Sequence, residues 1–121
     1  MAHFNNHTPI YMQLHALFKK AIVTGILKPG ERMKTVREIA VEYQVNPNTV
    51  QRALSQLEVD GLAHSEGTSG RFITTDTQRI ASFREDAALQ TLENFIQEMK
   101  TFGFTLQNVQ RLINDRWEDK Q

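Results

Sequence analysis

Four polar side chains lie close together at the start of one predicted helix, where they could recognise a partner by hydrogen bonding. They are Asn48, Thr49, Gln51 and Arg52. Amide side chains can form two hydrogen bonds with adenine, and arginine can do so with guanine, whereas a hydroxyl suits either a base or a phosphate. The set predicts contact with the edges of DNA bases, and the alternative is an ordinary solvated helix face.

The elements around these residues indicate a helix-turn-helix. Asn46 is a favoured N-cap residue, and Pro47 suits the first helical position because no N–H is needed there. A shorter helix precedes the turn, with Thr35 as its predicted N-cap and Glu38 completing a capping box. In a helix-turn-helix the second helix enters the major groove with its N-terminal residues against the bases, so Asn46 joins the predicted contacts.

A β-hairpin is predicted after the second helix. Residues 62–64 and 71–74 form its strands, and a loop with two glycines joins them. Gly67 allows close backbone approach to a ligand, and Arg71 is the hairpin's one cation, whereas Glu66 repels phosphate. We expect the wing of a winged helix, with Gly67 and Arg71 contacting DNA; a purely structural hairpin is the alternative.

Two residues of the preceding helix are predicted to reach the DNA backbone. Thr35 stands at a helix N-terminus, where N–H groups bind phosphate, and Arg37 follows in the first turn. For Arg37 the alternative is a surface ion pair with one of three glutamates, Glu31, Glu38 and Glu42. For Arg52 the two interpretations are a DNA contact and an ion pair with an acidic neighbour.

From residue 76 the pattern changes to a long helix, followed after Gly103 by a shorter helix that Thr105 can cap. Apolar residues recur at alternating spacings of three and four, as in a coiled coil. Two amphipathic helices without a third neighbour favour a homodimer. The predicted interface contains Leu92, Phe95, Met99, Phe102, Leu106, Val109 and Ile113. The aromatic and methionine side chains could instead line a pocket for a small-molecule effector of unknown identity.

Length and composition restrict the remaining function classes. The chain has 121 residues, no cysteine, and equal numbers of basic and acidic side chains, 14 of each. It contains no Walker loop, nucleophile elbow or HExxH motif, so we predict neither enzymatic activity nor a cofactor. His3 and His7 have helical spacing but no third ligand, which argues against a metal site. No apolar run or signal-like start indicates a membrane, so a cytoplasmic location is expected.

The net charge of zero conceals a small asymmetry. Residues 1–75 carry eight basic and six acidic side chains, and residues 76–121 carry six basic and eight acidic ones. The cationic part comes first, where an anionic partner would bind. We predict a mostly α-helical protein of α+β winged-helix type, with a DNA-binding domain at 1–75 and a dimerisation tail at 76–121. Zero charge and Glu66 leave a second hypothesis open, a winged-helix protein-interaction module that dimerises without specific DNA binding.

Five segments together resemble the DNA-binding domain of GntR-type bacterial transcription regulators, in order and with the family's spacing over residues 8–75. They are 8–14 (TPIYMQL), 25–33 (GILKPGERM), 35–40 (TVREIA), 45–54 (VNPNTVQRAL) and 57–62 (LEVDGL). Residues 76–121 are too few for the large effector domains of other GntR groups. Two helices there are similar to the short tail of the YtrA-type subgroup.

The resemblance implies a dimeric winged-helix regulator, often a repressor, on a near-palindromic operator, and in the YtrA-type subgroup frequently one that controls a transporter operon. The family's DNA-contact positions fall on Arg37, Asn46, Asn48, Thr49, Gln51 and Gly67. Three positions depart from the family pattern: Lys34 replaces a usual proline, Gln51 replaces a frequent arginine, and Glu66 stands where the wing is commonly basic or histidine. Loss of wing charge implies weaker binding or more reliance on the helix.

Overall fold

The computed structural model describes residues 4–118, which form five α-helices and one two-stranded sheet, as the predicted fold class requires. The elements are α1 (Ile10–Val23), α2 (Val36–Tyr43), α3 (Pro47–Val59), β1 (Ala63–Ser65), β2 (Arg71–Ile73), α4 (Thr77–Thr101) and α5 (Leu106–Arg116). A single 3₁₀ turn, Gly67–Ser69, lies between the strands. No helix within residues 4–118 is long and apolar enough to cross a membrane.

The chain divides into two compact units inside α4, the first ending at Arg84 and the second beginning at Glu85. The start of α4 belongs to the first unit because Ile80 is buried in its core and Phe83 packs against that core. Lys19 of α1 lies 4.3 Å from the centroid of the Phe83 ring. Our assignment of 1–75 to DNA binding and 76–121 to dimerisation concerns function and stays a prediction.

The core of the first unit is built from the apolar faces of its three N-terminal helices and the sheet. Its largest fully buried side chains are Leu14, Ile22, Ile39, Val50, Leu54, Leu57, Leu62 and Ile73. The main helix contact is between α1 and α3. Burying one such side chain contributes about 1.5–3 kcal/mol, so this contact fixes which side of α3 faces outward.

Side-chain caps fix the helix-turn-helix, and both predicted caps are confirmed. The Thr35 hydroxyl accepts from the Glu38 backbone N–H at 3.1 Å, and the Glu38 carboxylate accepts from the Thr35 N–H at 2.8 Å. The Asn46 side chain accepts from the Asn48 N–H at 2.7 Å. Between the helices, Gln44 adopts the left-handed conformation (φ 56°) that ends α2.

The hairpin is confirmed with small changes in its bounds, and its register pairs Ala63 with Ile73 and Ser65 with Arg71. A third segment, residues 31–33, lies along the other edge of β2. Arg32 pairs with Phe72 there, and the Met33 N–H donates to the Arg71 carbonyl at 2.8 Å. This pairing connects the hairpin to the start of α2.

The second unit consists of the end of α4 and α5. Gly103, with φ 80°, ends α4 in a Schellman motif: the Phe104 N–H donates to the Met99 carbonyl at 3.1 Å and the Gly103 N–H to the Lys100 carbonyl at 2.9 Å. Thr105 caps α5 as predicted, in a capping box with Asn108. Large hydrophobic side chains of this unit are exposed: Leu89, Leu92, Phe95, Ile96, Phe102, Phe104, Leu106, Ile113 and Trp117.

The capping box of α2 generates the first prediction. Replacing Thr35 by alanine removes the acceptor for the Glu38 N–H, so we expect a loss of about 1 kcal/mol in the free energy of unfolding. Thr35→Ser keeps the hydroxyl and should retain most of that stability. Urea denaturation followed by circular dichroism, at one fixed protein concentration, measures both variants. Equal losses in the two would mean that the cap contributes nothing.

Candidate nucleic-acid interface

The polar residues predicted at the start of α3 lie on its outward side. Asn48, Gln51 and Arg52 are exposed and Thr49 is half-buried, whereas the opposite face is buried among the core residues. The Gln51 amide donates to the Ser55 hydroxyl at 3.1 Å, one turn further along. Asn46 is exposed as well, but its side-chain oxygen is occupied by the N-cap, which leaves its NH₂ group for an external acceptor.

Arg52 lies over the ring of Tyr11, with its guanidinium carbon 3.8 Å from the ring centroid. Neither of the two interpretations from the sequence included this contact, and no acidic side chain within residues 4–118 pairs with Arg52. A cation–π contact of this kind contributes about 0.5–1 kcal/mol at an exposed site. Tyr11 therefore restricts where the guanidinium can point, and no local pattern could have shown it because the two residues are distant in sequence.

Arg37 is exposed and forms no ion pair within residues 4–118. The three glutamates proposed as alternative partners have other donors: Glu38 accepts from the Thr35 N–H, Glu42 from the Lys34 ammonium at 2.8 Å, and Glu31 from the Lys28 N–H at 2.8 Å. Hydrogen bonds from the backbone and hydroxyl of Thr35 hold the pKa of Glu38 below its usual value. The capping carboxylate thus stays ionised at neutral pH, and Arg37 is left for an external anion.

The predicted wing cation, Arg71, has an internal partner. Its Nε donates to the Glu58 carboxylate at 2.6 Å, and the Ser65 hydroxyl donates to the same oxygen at 3.0 Å. Burial alone would raise the pKa of Glu58, but these two hydrogen bonds and the charge of Arg71 outweigh it and lower the pKa. The Arg71 side chain is only 15% exposed, so its predicted contact with DNA would compete with this pair.

At the wing tip, Gly67 has φ 54° and nothing within 4 Å of where a Cβ would lie, so its backbone is open to a ligand. The Glu66 carboxylate lies 2.7 Å from His64 Nε2 and forms a hydrogen bond with that ring. The tip also has a partner that sequence reasoning missed. Arg32 Nε donates to the Ser69 carbonyl at 2.9 Å.

A groove of about 230 Å³ separates the wing from the start of α2. It is lined by three of the predicted DNA-contact residues, Thr35, Gly67 and Arg71, which come from segments far apart in sequence. Arg32 and Lys34 also line it. The fold therefore gathers part of the predicted contact set at one place on the surface.

The remaining predicted residues belong to other parts of the chain. In the proposed dimer interface Leu92, Phe95, Phe102, Leu106 and Ile113 are exposed, and Met99 and Val109 are half-buried. For the metal hypothesis, His3 lies outside the described residues. Across the described stretch 4–118, no three histidine or acidic side chains come close enough to hold a metal ion.

Comparison with known proteins decides the family. The model of the bacterial regulatory proteins of the gntR family matches residues 10–73. The chain belongs to the GntR family. Among curated relatives, this GntR protein is 32% identical over 102 residues to the uncharacterized HTH-type transcriptional regulator YhcF of Bacillus subtilis, covering 84% of each. It is 37% identical over 71 residues to the HTH-type transcriptional repressor YtrA of the same species, covering 59% of this chain and 55% of YtrA.

Solved structures give the same assignment for the whole described architecture. The GntR family transcriptional regulator from Listeria monocytogenes matches with a TM-score of 0.84 and 33% identity, over 94% of this chain and 100% of that one. The DNA-binding domain of AraR in complex with its operator ORR3 shares the fold over 61% of this chain, at a TM-score of 0.54 and 23% identity. This GntR protein is therefore a transcriptional regulator.

The pair between Glu58 and Arg71 generates a prediction about pH. Because the folded-state pKa of Glu58 is lowered, its stabilising contribution is complete above the ordinary pKa of 4.5 and is lost as the pH falls through the folded-state value. Glu58→Gln should cost on the order of 1–3 kcal/mol at pH 7. The difference between parent and variant should shrink on acidification below pH 4.5.

Urea denaturation at a series of pH values from 7 to 3 checks this, with Glu42→Gln as the matched control. Glu42 pairs with Lys34 on the open surface, so its substitution should change stability little at any pH. A constant difference between the parent and Glu58→Gln across the series would contradict the prediction.

Proposed function

We propose that this GntR regulator binds a specific DNA operator through α3. The observation that carries the proposal is which cations and amides around the helix-turn-helix already have a partner within the protein and which do not. Lys34 and Arg71 already have acidic partners, whereas Arg37 has none within the described chain and the amides of Asn48 and Gln51 face solvent. An exposed arginine without a partner meets a phosphate at little desolvation cost, and exposed amides are suited to adenine.

Each residue has a distinct part in the proposed complex. Asn48, Thr49 and Gln51 contact base edges in the major groove, because N-terminal residues of a recognition helix reach furthest into it. Arg37 and the N-terminus of α2 at Thr35 bind backbone phosphate and set the register of the protein on the duplex. Arg52, restrained by Tyr11, contacts the duplex beside them.

We further propose that two copies bind together through their tails. The second unit leaves nine large hydrophobic side chains exposed within its described residues, among them Phe102 at 68% and Leu106 at 71%. Large exposed hydrophobic side chains in this number favour a protein interface, and a second identical copy satisfies the coiled-coil spacing of α4. A two-fold dimer places its recognition helices about 34 Å apart or at a multiple of that distance, so the operator is an inverted repeat.

Repression is the proposed regulatory outcome, and a transporter operon the proposed target. Two relatives of this protein, YtrA and NagR of Bacillus subtilis, are both named HTH-type transcriptional repressors. The transporter target rests on the resemblance to the YtrA-type subgroup. A small-molecule effector, suggested by the aromatic and methionine content of the tail, remains a hypothesis.

One set of observations favours a second candidate function, a protein-interaction module that dimerises without specific DNA binding. The net charge is zero, Glu66 occupies the wing tip, and Glu58 and Glu42 neutralise two nearby cations. Non-specific DNA affinity depends on such cations, because each phosphate neutralised contributes to binding through counterion release. The two functions differ in whether the polar face of α3 selects a sequence.

The deciding experiment selects binding sites from random-sequence duplexes and measures affinity by fluorescence anisotropy. We expect an enriched inverted repeat. On it, Asn48→Ala and Gln51→Ala should each lose about 1–3 kcal/mol, roughly 5- to 150-fold in Kd, and relax the preference at one base pair per half-site. Gln56→Ala, an exposed amide late in the same helix, serves as the control and should bind like the parent. Failure to enrich any sequence would favour the interaction module.

The tail generates a separate prediction about assembly. Phe95→Glu places a charge on the predicted interface of α4, so we expect a monomer in analytical ultracentrifugation where the parent is a dimer. Thr91→Glu adds the same charge at an exposed polar position of that helix and should leave the dimer intact. Circular dichroism should show helix in both variants. A dimeric Phe95→Glu protein would place the interface elsewhere.

A further inference from the structure

Arg32 connects two parts of the first unit that sequence reasoning treated separately. Its backbone pairs with Phe72 on the edge of β2, and its side chain reaches along the hairpin to the tip, where Nε donates to the Ser69 carbonyl at 2.9 Å. The guanidinium lies directly over Gly70, since a Cβ there would be 2.8 Å from Arg32 Nε. The glycine thus provides the space that the arginine occupies.

Among the described residues, the rest of the wing tip forms hydrogen bonds only within the hairpin. The Glu66 N–H donates to the Gly70 carbonyl and the Ser69 N–H to the Glu66 carbonyl, both at 2.9 Å. Glu66 pairs with His64, which also belongs to the hairpin. Within the described chain, the Arg32 side chain supplies the one hydrogen bond that reaches residues 66–70 from outside the hairpin.

The root of the hairpin is fixed in a different way. Main-chain hydrogen bonds join Met33 to Arg71 and Ile73 to Glu31, each at 2.8 Å. The ion pair of Arg71 with Glu58 attaches the same strand to α3. Without Arg32, the hairpin would therefore be anchored at its base and unattached at its tip.

The tip needs a fixed position because residues 66–70 include no cation of their own to attract phosphate, and the Arg32 guanidinium beside them is already bound through Nε to the Ser69 carbonyl. Arg71 is paired with Glu58, and Glu66 adds a negative charge. What remains for DNA is the open backbone of Gly67 and the exposed hydroxyls of Thr68 and Ser69. Neutral donors of this kind bind well only when they are held in place beforehand, since ordering them on binding costs conformational entropy.

We propose that Arg32 is a positioning residue for the wing: it holds the segment 66–70 where Gly67 and Thr68 contact DNA, without itself binding phosphate. The inference rests on the proposed DNA-binding function and deepens it. Arginine suits this role because its planar guanidinium is rigid and lies against Gly70, with Nε and Cζ within 3.4 Å of where a Cβ would be. It accounts for how a wing of low charge takes part in operator binding.

The first test uses the free protein and needs no DNA. We expect Arg32→Ala to lower the ¹⁵N order parameters of residues 66–70 from the rigid range near 0.85 towards 0.6 or below. Lys28→Ala removes a surface cation whose ammonium donates to the Gly25 carbonyl at 3.3 Å, and this variant should match the parent. Arg32→Lys keeps the charge but not the planar group, and should lie between the two. Unchanged order parameters in Arg32→Ala would overturn the inference, whatever the protein binds.

The second test is a double-mutant cycle on the selected operator. In the shortened wing, an Asn-Gly turn replaces residues 66–70, a length that suits the paired positions Ser65 and Arg71. In the protein with the full wing, Arg32→Ala should weaken operator binding about 3- to 10-fold, because the tip is then no longer held in place before binding. In the shortened protein the same substitution should have no effect. It should also leave the salt dependence of log Kd unchanged, since a lost phosphate contact would lower that slope by about 0.9.

Additive effects in the cycle, or a reduced slope, would show that Arg32 contacts DNA directly and would overturn the positioning role. Parent-like binding by Arg32→Ala would overturn it too, while leaving the proposed function standing. A parent protein that selects no operator would overturn the proposed function itself, together with the DNA half of this inference. The order parameters would then still decide whether Arg32 holds the tip.

Discussion

The packing of α1 against α3 is the contact on which the candidate interface depends. Leu14 and Ile22 of α1 are buried in the same core as Val50, Leu54 and Leu57 of α3. Once these side chains are buried, the helical period of 3.6 residues places Asn48 and Gln51 on the outward face of α3. The positions of the polar side chains on the surface thus depend on the apolar packing beneath them. A substitution that leaves a cavity at Leu54 would shift α3 and displace those side chains, although Leu54 does not contact them.

Charge pairing then decides which of the surface cations remain for a partner. Several acidic groups of the first unit are paired with neighbours. Glu42 pairs with Lys34, Glu58 pairs with Arg71, and Glu38 accepts a hydrogen bond at the N-cap of α2. Arg37 is left as an exposed cation because those carboxylates have other donors. A zero net charge therefore does not describe the local field at the helix-turn-helix, which depends on how individual ions are paired.

The sequence was sufficient for the helix caps and the hairpin, which depend on neighbours along the chain. Caps at Thr35, Asn46 and Thr105 follow from residue types at fixed offsets, and the helix predicted after Asn46 is found as α3. The features that it missed are tertiary: Tyr11 beneath Arg52, Glu58 against Arg71, and the pairing of residues 31–33 with β2. Each joins residues whose separation depends on the whole fold, so no spacing rule could predict them.

The same limit explains why the contact set from the sequence treated the wing and α2 as independent. Pairing of Arg32 with Phe72 connects the wing through main-chain hydrogen bonds to the segment that leads into α2. In the proposed complex this coupling matters, because few free cations per copy make the phosphate contribution small. Affinity must then come from geometry: two copies held together by their tails bind two half-sites at high effective concentration, and each wing adds neutral contacts only if its tip is already in place.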